Sequence, residues 1–150
     1  MGLITKIEQI AQTACPTCRF AYDVRALQNV RADDRHFPLI WVDEYYSGRV
    51  AVRQYGQWMR EATVDVHFID LVQMQDDGRE NDRVRETLLP LVYAFIDALN
   101  ADGTFGEVVE YQCDPEPPMF DAGATGWLVR VTLSYPACTV FSEPNTEEER

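Results

Sequence analysis

The stretch WMREATVDVHFIDLVQM, residues 58–74, decides the architecture. Val64, Val66 and Phe68 stand at alternate positions, so in an extended chain they share one face, while Asp65 and His67 share the other. That period of two, built from β-branched and aromatic types, predicts a long strand half-buried against a core. Directly downstream the period changes. DDGREND, residues 76–82, reads as a turn. After it, Val84, Leu88, Leu91, Val92, Phe95, Ile96 and Leu99 form an apolar helical stripe that ends at Asn100 and Gly103. Pro90 lies inside this stripe and predicts a kink or a broken first turn.

Upstream, RVAVRQY (49–55) reads as a strand entered through a Ser47–Gly48 turn and separated from the long strand by Gly56. FPLIWVDEYY (37–46) is a short, continuously apolar run with Pro38 at its start, as expected of a strand buried on both faces. NVRADDRH (29–36) is a polar connection, and FAYDVRAL (20–27) alternates with Phe20, Tyr22 and Val24 on one side. Leu3, Ile4, Ile7, Ile10, Ala11 and Ala14 predict an amphipathic helix over about 2–14, ended by Pro16. Beyond the second helix, strands are expected at about 105–113 and 126–135, joined by DPEPPMFDAGAT; the second has Trp127, Val129, Val131, Leu133 and Tyr135 at period two.

The order helix, strands, helix, strands, without a βαβα alternation, predicts an α+β fold: a mainly antiparallel sheet with two principal helices packed on one face. One domain over 1–141 is expected, followed by an acidic flexible tail, SEPNTEEER, at 142–150. A chain of 150 residues buries roughly 70% of its unfolded surface, enough for a core without staples.

The net charge of −12 repels a phosphate backbone, so no direct nucleic-acid partner is expected. Of the 13 basic residues only Lys6 is a lysine; the others are guanidinium forks suited to carboxylates, a composition that fits protein interfaces. No run approaches the ~18 apolar residues needed to span a bilayer, and Lys6 and Glu8 interrupt any signal-peptide core. No membrane association and a cytoplasmic location are expected.

Cys15-Pro-Thr-Cys18 is the one conventional chemical motif. Redox pairs of the thioredoxin kind open a helix, whose positive end lowers the thiol pKa; this pair follows a helix instead. A structural zinc needs about four ligands, and Cys113, Cys138, His36 and His67 do not supply a second close pair. The two cysteines therefore read as thiols at a helix end, with a small thiol- or zinc-binding protein using Cys15 and Cys18 as the competing reading. Asp65 and His67 read as a solvent-facing polar pair, because no third partner or nucleophile stands near them in sequence. Asp76-Asp77-Gly78 lacks the spacing of a calcium loop. No nucleophile elbow, P-loop or dinucleotide fingerprint occurs, so no catalytic residue, cofactor or metal is expected and the chain reads as a non-enzyme.

The N-terminal helix, then HFPLIWVDEYYSGRV, EATVDVHFIDLV, the helix RVRETLLPLVYAFIDALN and the closing GWLVRVTLSYP resemble, over about residues 2–141, the tail terminator or tail-completion proteins of long-tailed phages and their head–tail joining relatives. The likeness lies in size and element order; Cys15 and Cys18 are not part of that pattern. It implies a structural virion-assembly protein: a homo-oligomeric ring, usually a hexamer, that caps the tail tube and meets the head-connector proteins. It also implies a life in the cytoplasm during assembly and in the virion tail afterwards. The other reading from a different class is a generic binding or adaptor module.

Subunits are expected to meet at VRQYGQWMREATV. Arg53, Tyr55, Trp58, Met59 and Arg60 flank the Gly56 break, these are residue types enriched in interface cores, and a Gly-interrupted strand pair can project from a sheet as an arm.

Overall fold

The computed structural model describes residues 2–22, 37–43, 47–54, 56–72, 78–119 and 123–139. The acidic tail, Val24 and Tyr55 lie outside the described residues. Helix α1 (Leu3–Ala14) is followed by strands β1 (Arg19–Tyr22), β2 (Leu39–Val42), β3 (Ser47–Gln54) and β4 (Gln57–Leu71). Helix α2 (Gly78–Asp102) and strands β5 (Gln112–Met119) and β6 (Ala124–Pro136) complete the order. The sheet runs β1-β2-β4-β6-β5, with β3 also paired to β4. Only the β1–β2 pairing is parallel. The α+β architecture is therefore the one the sequence implies.

The period-two strands build the core. Val64, Val66 and Phe68 of β4 and Val129, Val131 and Leu133 of β6 are buried in one cluster with Leu3, Ile7 and Ile10 of α1 and Val92, Phe95 and Leu99 of α2. Both helices thus cover one face. All four residues of β2 are buried: Ile40 and Val42 join the helical layer, while Leu39 and Trp41 join Phe37, Ile69 and Ala124 on the opposite face. That two-sided burial is what a run of consecutive apolar residues requires. No helix among the described residues is long and apolar enough to cross a membrane.

Three expectations are corrected. The turn expected at 76–82 is helical from Gly78. Glu80 in the first turn complements the helix dipole, and the pairs Glu80–Arg83 and Asp82–Arg85 join successive turns, so side-chain electrostatics outweigh turn composition. α2 also continues through Pro90, an exposed residue, so no broken first turn stands there.

The strand expected at 105–113 is displaced to Gln112–Met119. Phe105 and Val108 are buried in the core as an irregular segment closing the end of α2. The Asn100 amide satisfies both backbone groups of Val108, accepting its N–H at 2.7 Å and donating to its carbonyl at 3.2 Å. Such a side chain replaces a strand neighbour. β5 carries Pro115, Pro117 and Pro118 and pairs only with β6, an edge position where a missing N–H leaves no ladder bond broken on the outer side.

Candidate functional site

β2 and β3 run along the same edge of β4. Leu39–Val42 pair with Ile69–Val66, and Ser47–Gln54 pair with Thr63–Gln57. Both lie antiparallel to β4, and β3 carries a bulge between Val50 and Val52 that tightens the twist. Gln54 pairs with Gln57 at the tip, and Gly56 has φ +80°, a left-handed value that disfavours any residue with a Cβ.

The end of this hairpin holds the sequence-predicted interface residues. Arg53 and Arg60 are exposed, Met59 is half-buried, and Trp58 is 52% exposed. The Arg53 guanidinium lies over the Trp58 ring, 5.8 Å from its centroid. On β4 the buried cluster ends at Ala62, and on β6 it continues to Tyr135, the ladder partner of Arg60, which packs on Phe105; Trp58 lies outside it. β6 accompanies β4 out to the Met59–Pro136 pair, and the Ala137 N–H donates to the Trp58 carbonyl at 2.8 Å. The expected two-stranded arm is therefore a three-stranded end of the sheet. Residues 47–60 contain Arg49, Arg53 and Arg60 and no Asp or Glu; in a chain of net charge −12 this leaves −15 for the rest.

The second site lies on the sheet face that carries no helix. His67 is 7% exposed rather than solvent-facing, and it does not pair with Asp65. Its Nδ1 meets the Glu116 carboxylate and its Nε2 donates to Asp43 Oδ1 at 3.0 Å. Trp41 stacks on the ring with centroids 4.1 Å apart and donates from its own Nε1 to the same Asp43 oxygen at 3.0 Å. Asp65 instead takes both a 2.8 Å and a 3.1 Å bond from Arg130. The sequence reading missed Asp43 and Glu116, which lie 24 and 49 residues from His67 and carry no local pattern.

The ladder explains how Glu116 gets there. Glu116 pairs with Gly126, and Gly126 with Ile69, so these three positions share the face of His67. Gly126 contributes no side chain between Glu116 and β4. A Cβ there would lie 1.8 Å from the Phe68 carbonyl oxygen, which only glycine avoids. The Thr125 hydroxyl and Arg85 both donate to the Glu116 carbonyl at 2.7 Å and fix its backbone.

Burial by itself disfavours the charged imidazole, but the hydrogen bond and charge of Glu116, followed by those of Asp43, outweigh it and raise the pKa of His67. The ring with a proton on each nitrogen satisfies both carboxylates. In that arrangement neither nitrogen has a lone pair left to accept a further proton or bind a metal, and the ring ties together the segments that carry the two carboxylates.

Cys15 and Cys18 are bonded to each other rather than standing as thiols, and both are buried in the core beside α1. As a disulfide they present no thiolate for zinc. Cys113 remains a thiol whose pKa burial and Asp114 push up. Among the described residues no group of three or more His, Cys, Asp or Glu side chains is arranged to hold a metal ion. Compared with known proteins, the chain matches no family model and no curated sequence.

Proposed function

We propose that this chain is a non-enzymatic assembly protein that associates with further copies of itself through the β3–β4 end of its sheet, as a ring of the tail terminator kind. The observation that carries this reading is the exposed Trp58, flanked by Arg53 and Arg60, on a basic end of an otherwise acidic molecule. Half-exposed tryptophan beside arginine is the side-chain chemistry of interface hot spots. Bodies bearing −15 repel one another, whereas a basic end set against the acidic surface of the next copy is attracted. Such a contact joins two different surfaces, and a heterologous contact closes into a ring or continues as a filament. The choice of the tail terminator kind rests on the resemblance in size and element order read from the sequence. On that reading the ring, a hexamer, caps a tail tube and meets head-connector proteins, first in the cytoplasm and then in the virion.

Sedimentation over a wide concentration range, with electron microscopy of the purified protein alone and mixed with tail tubes, tests this. Rings, or decoration confined to tube ends, are expected. A particle that stays monomeric and ignores tube ends refutes the assembly reading and leaves an adaptor module as the alternative.

A further inference from the structure

We infer that Asp43, His67 and Glu116 form a proton-operated latch that ties the end of β2, and with it the base of the β3–β4 hairpin, to the sheet. Asp43 directly follows β2, His67 lies on β4 and Glu116 on β5, so the imidazole fastens segments from both sides of β4. This inference does not depend on the assembly reading.

The two contacts differ in exposure. The Glu116 side chain is 10% exposed and the Asp43 side chain 40%. When the imidazolium loses one proton to solvent, only one ring nitrogen keeps a hydrogen, and the other directs a lone pair at a carboxylate. Glu116 is enclosed and its backbone held by Thr125 and Arg85, so Nδ1 keeps its proton. The proton that leaves is on Nε2, and Asp43, with solvent beside it, is the group released. Asp43 also bonds to β4 through its backbone, its N–H donating to the Asp65 carbonyl at 3.2 Å, the last such bond before β3 among the described residues. The other charged groups on this face leave the latch intact. Asp65 is neutralised by Arg130 of β6, and Asp114 of β5 accepts from Gln112. From α2, Arg85 reaches only the Glu116 backbone on this cluster.

The sign follows from the raised pKa of His67. Stability from the charged ring is fully present below the unfolded histidine value of about 6.5 and is lost as pH rises through the higher folded value. The test is an NMR titration of the His36→Gln protein, in which His67 is the one remaining histidine, reading ring nitrogens and the exchange protection factor of the Asp43 amide together. A single ring step above the ordinary histidine range is expected, leaving hydrogen on Nδ1, with Asp43 protection falling ~10-fold or more across that step. Asp43→Asn, which keeps the acceptor oxygen and removes the charge, should move the step to lower pH. Loss of the Nδ1 proton instead, a step at or below the ordinary value, or Asp43 protection unchanged through the step would each overturn the latch.

Discussion

Replacing Trp58 by alanine separates an interface role from a folding role. A tryptophan exposes up to about 250 Å² when free, so at 52% exposure roughly 130 Å² of it is available to a neighbour. At ~25 cal/mol per Å² its full burial contributes about 3 kcal/mol to each subunit contact, and loss of 2–3 kcal/mol weakens one contact roughly 30- to 150-fold. In a closed ring every subunit repeats the loss, so the factors multiply. The fold should notice far less. Trp58 is half-exposed and outside the buried cluster, and its departure should cost about 1 kcal/mol, a fall in Tm of ~2–4 °C for a chain of this size. Sedimentation velocity over a concentration series, paired with a circular-dichroism melt, reads both quantities on one sample. If the variant melts more than ~10 °C below the parent while its folded fraction associates as before, Trp58 belongs to the core and the reasoning fails.

Gly126→Ala should abolish soluble folded protein or cost more than ~4 kcal/mol in urea unfolding, because the new Cβ would meet strand backbone and not a side chain that can move aside; near-parental stability would contradict the close approach of β6 to β4. Phe95, 1% exposed and edge-on to Phe68 at 5.5 Å, should cost about 3–5 kcal/mol on change to alanine, read from the urea midpoint; a loss under ~1 kcal/mol would place the core elsewhere. Asn100→Ala strands both backbone groups of Val108 and should cost ~1–3 kcal/mol, with hydrogen exchange at Val108 rising first; protection retained there would show that the amide is not what holds the segment.

The parts of the fold legible in the sequence are those where one periodicity meets one burial pattern. β4, β6 and the α2 stripe bury the alternate or helical positions that their sequence singles out, and β2 buries both faces as its unbroken apolar run requires. Illegible segments are those whose structure is fixed from a distance. Phe105–Val108 has strand-like composition, yet Asn100 and the Gly106–Ser134 backbone bond at 2.7 Å take its hydrogen bonds, and pairing with β6 passes to the proline-bearing residues after it. The first turn of α2 carries Glu80 and the pairs Glu80–Arg83 and Asp82–Arg85, small contributions that a turn-like composition conceals. Of the hairpin end, the Gly56 break and the strands on either side of it are legible in the sequence, whereas the company of β6 depends on a register no local pattern encodes. The surroundings of His67 were hidden for the same reason: parity placed it on the face of Asp65, and only tertiary register brings Asp43 and Glu116 to it.

β4 is 15 residues long, about 50 Å when extended. β6 is laced to it without a break from Met59 to Leu71, and β2 and β3 follow its other edge. A strand held on both flanks bends little, so it behaves as a beam, and Trp58 rides on its cantilevered end. Loose arms that capture a neighbour surrender much of their binding energy to the freedom they lose on docking, whereas this end has little freedom left to surrender. For the contact proposed above, the direction of that end is therefore set when the sheet folds.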